Sequence, residues 1–171
     1  MTVKMNTKGL DGLLKLLKTS KEKARVGIMG SGAAEMHMNA DGSSSGATNA
    51  KIGAAHEFGV DIIQQRGDKA ITISLPERSF LRIPLQDLWY SRLKSSGAFG
   101  KNVLDEIIKT KSFTPWLVKA GIVGVSIVQG AFDSGGYGKW KPSNMKRKKN
   151  KQTLVETQQL RNSVISEVVT K

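Results

Sequence analysis

The sequence contains no cysteine, and this absence excludes three classes of site. A chain without thiols has no disulfide scaffold, no cysteine-ligated zinc site and no thiol nucleophile. Histidine is almost as scarce, because only His37 and His56 are present. Any imidazole chemistry must therefore come from these two side chains.

Aromatic residues are also few, at 6% of the chain, and the hydrophobic share of 39% is low for a globular domain. The length of 171 residues predicts a single domain over 1–171. The small apolar share and the 18 glycines indicate that part of the chain becomes ordered only against a partner. No apolar run of membrane-span length and no signal-peptide core is expected, which predicts a soluble protein with no membrane partner.

The charge is strongly unbalanced, since 27 Lys and Arg face 14 Asp and Glu and leave a net +13. Seven basic residues and no acid fall within a turn-rich segment, 134–152, that is predicted to form a basic loop. Such a cluster attracts DNA or an acidic protein surface, although a charge run can also be an ordinary solvated face. The seven candidate contacts are Lys139, Lys141, Lys146, Arg147, Lys148, Lys149 and Lys151.

Apolar periodicity predicts the strands of a small antiparallel or mixed sheet together with one long and several short helices. We expect the final strand, at 164–169, to close a sheet with strands near Val26 and Ile73. A hairpin tip is predicted at 64–69, before the alternating strand at 71–75.

The longest predicted helix begins with Thr114 as its N-cap and Pro115 at its first position. Gly121 and Gly124 within it predict close contact with a neighbouring element. Shorter helices are predicted at 10–17, from Thr48 to the stop at Gly59, at 85–93 and at 103–108. A turn or short helix is predicted at 160–163.

Two motifs suggest enzyme chemistry, but neither is complete. The glycine-rich segment after Met29 has Glu35 where a dinucleotide fingerprint needs glycine or alanine, and the segment 30–48 is predicted to be a flexible loop. His56 and Glu57 resemble the start of a zinc-protease helix, but Val60 stands where the second histidine belongs. A small hydrolase using this pair would also lack a nucleophile motif. We therefore predict no catalytic, cofactor-binding or metal residues.

The order of several motifs is more informative than any one of them. They are Val-Gly-Ile at 26–28, Ala-Ala-His-Glu-Phe-Gly at 54–59, Pro-Glu-Arg-Ser-Phe-Leu-Arg-Ile-Pro at 76–84, Trp-Lys-Pro at 140–142 and the polar-to-apolar stretch at 154–164. In this order they resemble the neck and tail-completion proteins of tailed bacteriophages, over about residues 25–169. Ser79 stands where that family tends to have a second proline, and Glu156 and Gln158 replace its common Asp and Gly.

The resemblance implies a non-enzymatic virion protein of the phage neck or tail, assembled in the host cytoplasm and needing no cofactor. It implies an α+β fold in which the small sheet packs against the helices and extended loops or arms project from it. It also implies a homo-oligomeric ring, sixfold or twelvefold, at the head–tail junction, where the ring joins the head connector or adaptor proteins to the tail tube or tail terminator. Genomic double-stranded DNA would pass through the ring and contact it non-specifically. The alternatives are a tail terminator that caps the tail tube and a sequence-independent basic DNA-binding protein.

The same motifs supply candidate subunit-interface residues. Arg78 and Arg82 are expected to pair with acids across the fold or across an interface rather than to bind phosphate. The full set of candidates is His56, Phe58, Arg78, Phe80, Arg82 and Trp140.

Overall fold

Helices and strands are mixed along the chain in the computed structural model, which describes residues 8–39, 41–136, 140, 154 and 158–170. The helices are α1 (Lys8–Thr19), α2 (Gly30–Ala34), α3 (Asn49–Phe58), α4 (Arg82–Ser95), α5 (Lys101–Thr110), α6 (Thr114–Asp133) and α7 (Gln159–Asn162). The strands are β1 (Glu22–Ile28), β2 (Met36–Met38), β3 (Ser44–Thr48), β4 (Val60–Arg66), β5 (Lys69–Leu75) and β6 (Val164–Thr170). This architecture confirms the predicted α+β class.

The strands form three separate antiparallel pairs, β1 with β6, β2 with β3 and β4 with β5. Val26 lies opposite Ser166, which confirms that the final strand pairs with the strand near Val26. The expectation that the strand near Ile73 joins the same sheet is wrong, because Ile73 pairs with Ile62. The physical reason is local, since Gly67 adopts a φ of +60° and closes a tight turn between β4 and β5.

Helix α6 packs across the β1–β6 sheet, and two glycines set how closely it approaches. A Cβ at Gly121 would lie 2.8 Å from the Ser166 Cβ. A Cβ at Gly124 would lie 2.8 Å from Val26 Cγ2 and 3.2 Å from Trp89 Cζ3 in α4. The predicted close contact is confirmed, because any side chain at these positions would push the sheet or α4 away.

The main hydrophobic core lies where α6, β6 and the start of α4 meet. The rings of Phe80 and Phe132 pack with their centroids 4.9 Å apart, at an angle of 45°. Val128, Leu160 and Val164 complete this buried cluster. A second cluster brings residues from α4, the following turn and α6 together.

By length and composition alone, α6 could cross a membrane, with a mean hydropathy of 1.3 over an 18-residue window. This finding corrects the expectation that no run of that kind is present. In the folded domain α6 packs against both strands of the β1–β6 sheet and against α4 and α5. We interpret it as the core helix of the domain.

The N-terminus of α6 is anchored by a residue far away in the sequence. Thr114 is the first helical residue rather than the N-cap, so that prediction is wrong. The Glu22 carboxylate in β1 instead accepts hydrogen bonds from the Ser112 hydroxyl at 2.6 Å, the Thr114 hydroxyl at 2.7 Å and the Phe113 N–H at 2.8 Å. These bonds, led by those from Ser112 and Thr114, hold the pKa of Glu22 below its ordinary value.

The segment 30–48 was predicted to be a loop, but its described residues contain α2 and the β2–β3 pair. Asn49 is fully buried beside it, donating to the Gly32 carbonyl at 2.9 Å, with its Oδ1 2.8 Å from His37 Nδ1. The Gln159 side chain binds the backbone of β2, accepting from the Met38 N–H and donating to the Met36 carbonyl. Buried and long-range side-chain contacts therefore give structure to a serine- and glycine-rich sequence.

Candidate functional site

The two motifs at 54–59 and 76–84 flank the β4–β5 hairpin and meet at its base. Thr48 caps the start of α3 through a hydrogen bond from the Lys51 N–H, and Gly59 ends the helix with a φ of +71°. These ends agree with the predicted helix. A Cβ at Gly59 would lie 2.9 Å from the Glu77 nitrogen and 3.0 Å from the Leu75 oxygen. The chain entering the hairpin therefore contacts the chain leaving it so closely that only glycine fits.

Glu57 joins the two motifs through its buried carboxylate. Only 4% of the residue's surface is exposed. Its Oε1 accepts the Ser79 hydroxyl at 2.6 Å and the Arg82 N–H at 3.0 Å. Its Oε2 accepts the N–H groups of Phe80 and Leu81 at 2.8 and 2.9 Å. Each oxygen thus accepts two hydrogen bonds, so the lone-pair positions of the carboxylate are filled.

These bonds explain why a charged group is tolerated in the interior. The first N–H groups of a helix have no partner within the helix, and the N-terminus carries a partial positive charge. Glu57 satisfies the first N–H of α4, from Arg82, together with the N–H groups of Phe80 and Leu81 that lead into the helix. The Ser79 hydroxyl accepts the second helical N–H, from Ile83, at 3.0 Å. We interpret Glu57 as the cap of α4, and this role accounts for both of its oxygens without catalytic chemistry.

Arg78 and Trp140 reinforce the same junction. The Arg78 N–H donates to the His56 carbonyl at 2.7 Å, and burial lowers the pKa of the Arg78 guanidinium from its ordinary value. Trp140 donates from Nε1 to the Ser79 carbonyl at 3.2 Å and packs edge-on against Phe132, with 5.9 Å between centroids. The end of α3, the start of α4, α6 and Trp140 are therefore held as one unit.

The predicted interface residues fall into different environments. Phe80 is a fully buried core residue and presents no side chain to a neighbour. Arg82 pairs with Glu77 at 2.6 Å, which confirms the expected ion pair and places it within the chain. Phe58 exposes 68% of its surface at the end of α3. Of these residues, Phe58 is the one that offers an apolar surface to a partner.

The seven basic candidates lie outside the described residues. They are Lys139, Lys141, Lys146, Arg147, Lys148, Lys149 and Lys151. The predicted basic loop at 134–152 is likewise described only at 134–136 and 140. Contact of this segment with DNA or an acidic partner stays a prediction.

The feature that the sequence analysis missed is the apolar face of the β4–β5 hairpin. Val60, Ile62 and Gln64 lie opposite Leu75, Ile73 and Ile71, so these six side chains share one face. Val60, Ile62, Ile71 and Ile73 each expose 40–43% of their surface. The alternation of Val60 and Ile62 with polar residues is the sequence signal that indicates β4.

Within the described ranges there is no group of three or more His, Asp or Glu side chains placed to hold a metal ion. Comparison of the chain with protein-family models, with curated proteins and with solved structures finds no match. The resemblance to phage neck proteins therefore rests on the ordered motifs alone, and any function built on it is a proposal.

Proposed function

We propose that this chain is a structural virion protein of a tailed phage, forming a ring at the head–tail junction around the path of the DNA. The ring completes the tail and joins it to the head connector. The proposal rests on the ordered motifs, and one structural observation supports it. The motif containing Glu57 and the motif containing Ser79 and Phe80 pack against each other through four short hydrogen bonds.

These hydrogen bonds give the two motifs a structural role that does not involve catalysis. The glutamate in the first motif caps the helix that the second motif begins, and Gly59 permits the close approach beside it. Together they hold the base of a hairpin whose apolar residues are exposed. A rigid base that presents an apolar projection suits a protein whose function is assembly.

The decisive experiment is electron microscopy of lysates from a phage with a stop codon in this gene. The proposal predicts heads and separately finished tails, and expression of the wild-type protein in trans should restore joined particles. A Glu57→Gln protein supplied in the same way should restore fewer particles. Normal joined particles without the protein would refute the neck assignment.

Sequence-independent DNA binding is the second candidate, and the net charge of +13 favours it. Its test is the salt dependence of duplex DNA binding by the purified protein. A binder using the seven basic residues at 139–151 should lose affinity linearly on a log–log plot, with a slope that falls when Lys146 and Lys148 are replaced by glutamine. Equal slopes for both proteins would remove this segment from DNA binding.

A further inference from the structure

The outer edge of β5 is open in the part of the chain that the structure describes. β5 pairs with β4 along one side, and no other described strand lies along its second side. Residues 69–74 of the strand are all exposed. A free strand edge presents a row of unpaired N–H and C=O groups, and an added strand satisfies them.

The turn of the hairpin determines which backbone groups point outward. Only two residues separate Arg66 from Lys69, so these two residues form a hydrogen-bonded pair that closes the turn. Hydrogen-bonded and non-hydrogen-bonded pairs alternate along an antiparallel ladder. The N–H and C=O groups of Ala70, Thr72 and Ser74 therefore point away from β4.

The features that usually protect a strand edge from pairing are absent from β5. Edge strands are commonly blunted by proline, by a bulge or by charged side chains. β5 has no proline, its register with β4 is unbroken over its whole length, and its one charge, Lys69, lies at its end. The other seven-residue strands, β1, β4 and β6, carry charges further inside, at Lys23, Arg25, Asp61 and Glu167. Among these four strands, β5 is the one whose edge is suited to accept another strand.

The sequence of β5 is complementary to itself when two copies run antiparallel. Thr72 is the middle residue of the strand, so two strands aligned on it place Thr72 opposite Thr72. In this register Ala70 lies opposite Ser74, and Ile71 lies opposite Ile73. Paired threonines and β-branched apolar neighbours are favourable across strands. The strand that fits this edge is therefore β5 of a second copy.

Charge also favours a second copy at this surface. Copies of a chain with a net charge of +13 repel each other, so contact is favoured where the charge is balanced. In residues 60–75 two aspartates balance one arginine and one lysine, which gives 2 − 2 = 0. The self-paired register also places Lys69 opposite Leu75 rather than opposite another cation. The hairpin is thus a neutral surface through which like-charged copies can approach.

The two other edge pairings between hairpins fit less well. If β5 met β4 of a second copy with both turns level, Lys69 would lie opposite Arg66, and like charges directly opposite are destabilising. If two β4 strands were aligned on their middle residue, Ile63, then Val60 would lie opposite Arg66. Neither arrangement matches apolar with apolar residues as the pairing of two β5 strands does.

We propose that β5 of one copy pairs with β5 of a second copy, antiparallel and aligned at Thr72, to form one four-stranded sheet. The outward N–H and C=O groups of the two strands then face each other and hydrogen-bond. Ile71 of each copy meets Ile73 of the other beside the existing Ile62–Ile73 pair, so the apolar face continues across the new ladder. Three or more strands with an apolar face reach a stability that a lone hairpin lacks.

This contact is isologous, so it closes on a dimer. A ring is built from heterologous contacts, and the dimer is therefore a state of the free protein. The inference goes beyond the proposed function and does not depend on it.

The length of the strand sets the expected strength of the dimer. A strand of seven residues is about 23 Å long, and a sheet layer is about 10 Å deep, so each copy contributes on the order of 230 Å². Stable interfaces bury about 800 Å² on each partner. The dimer should therefore be weak and strongly dependent on protein concentration, which calls for covalent capture.

Cysteine cross-linking tests the register, because the chain has no native cysteine. Purified Ala70→Cys and Ser74→Cys chains are mixed at high concentration and oxidised, and the adducts are identified by mass. Cα atoms of a hydrogen-bonded pair lie about 5.5 Å apart, within the range of about 7 Å that a disulfide requires. Two Ala70 residues would be offset by four positions, roughly 14 Å along the strands, and the same holds for two Ser74 residues.

The heterodimer should therefore exceed the two homodimers together by several-fold. Chance collision of equally reactive chains would make heterodimer and total homodimer about equal.

Proline variants identify the edge that forms the contact. Thr72→Pro removes an outward N–H and leaves the ladder with β4 intact, because proline is tolerated where the N–H of an edge strand faces solvent. Ile63→Pro, opposite Thr72 in the ladder, makes the same change on the outer edge of β4 and is the matched control. Added to both cysteine chains, Thr72→Pro should abolish the excess of heterodimer, whereas Ile63→Pro should preserve it. Circular dichroism confirms that each variant is folded.

Two results would overturn the inference. One is a heterodimer yield no higher than that of the two homodimers together, which the cysteine chains alone decide. The other is an excess of heterodimer that survives Thr72→Pro, because the contact would then not use the β5 edge.

The outcome is independent of the phage experiment. An excess of heterodimer together with normal particles in the stop-codon lysate keeps the dimer and refutes the neck assignment. Separated heads and tails without that excess keep the neck assignment and refute the dimer.

Discussion

Glu57 and Phe80 are 23 residues apart, and the carboxylate of Glu57 accepts the Phe80 N–H at 2.8 Å. The Phe80 ring packs against Phe132 in the core. Phe80 therefore belongs both to the capped start of α4 and to the hydrophobic core. Substitutions that weaken the cap should lower the free energy of unfolding of the whole domain.

Glu57→Gln should lower the free energy of unfolding by about 2–3 kcal/mol, because the neutral amide accepts at one oxygen and directs N–H groups toward other donors. Urea denaturation measures the change. Glu77→Gln is the matched control, since that exposed carboxylate pairs with Arg82 at the surface and its loss should cost no more than about 1 kcal/mol. Similar small losses for the two variants would contradict the role assigned to Glu57.

Gly59→Ala should destabilise the protein by about 1–3 kcal/mol, because alanine is strained at a φ of +71° and its Cβ meets the Glu77 nitrogen. Gly12→Ala is the comparison. Gly12 lies in α1 with nothing within 4 Å of its added Cβ, so alanine there should stabilise by about 0.5–1 kcal/mol. Thermal unfolding of both variants decides the point, and a Gly59→Ala protein as stable as wild type would disprove the close approach.

Glu22 gives the protein a predicted pH dependence. Its pKa in the folded state lies below the ordinary value of 4.5, so its bonds stabilise the fold above pH 4.5. That contribution is lost as the pH falls from 4.5 through the lower folded value. Glu22→Gln should therefore be less stable than wild type at pH 7, and the difference should shrink as both are acidified. Urea titrations at a series of pH values test this, and a constant difference would argue against a stabilising role for the ionised Glu22 carboxylate.

Replacing either of two glycines of α6 by alanine should change the stability of the protein, in opposite directions at the two positions. Gly124→Ala places a Cβ against Val26 and Trp89 and should cost about 1–3 kcal/mol through overpacking. Gly130→Ala meets nothing within 4 Å and should stabilise by about 0.5–1 kcal/mol through helix propensity. Chemical denaturation of the pair tests the packing of α6 on the sheet. A gain in stability at both positions would show that the helix lies farther from β1 than the structure places it.

Structural features that depend on residues close together in the chain could be predicted from the sequence. Thr48 and Gly59 mark the ends of α3 because capping depends on local chain geometry. Gly121 and Gly124 indicated close packing because their spacing in one helix is visible directly. The β-branched residues of β6 likewise identified the strand, whereas the expected partners of that strand were only half right, because β6 pairs with β1 and not with β5.

Features that depend on distant residues were missed. Glu22 and Thr114 are 92 residues apart, so the local sequence around Thr114 suggested that it capped its own helix. Asn49 and Gln159 give structure to a segment whose composition predicts a loop. In the same way, the sequence analysis compared His56 and Glu57 with a zinc-protease helix. It did not predict that the Glu57 carboxylate joins the end of α3 to the start of α4. Such contacts exist only after the chain has folded, and composition does not encode them.

The pairing of β1 with β6 also fixes an order of events during folding. Glu22 lies opposite Thr170, so β1 can pair with β6 only after residues 170 − 22 = 148 positions later in the chain have been synthesised. Non-local pairings of this kind slow folding, because a long stretch of chain must be ordered before the contact forms. On the ribosome, α6 emerges before β6, and its surface at Gly121 stays uncovered until Ser166 arrives. We therefore expect the β1–β6 sheet to be among the last parts of the domain to form, with the face of α6 that packs against β6 uncovered in the nascent chain until then.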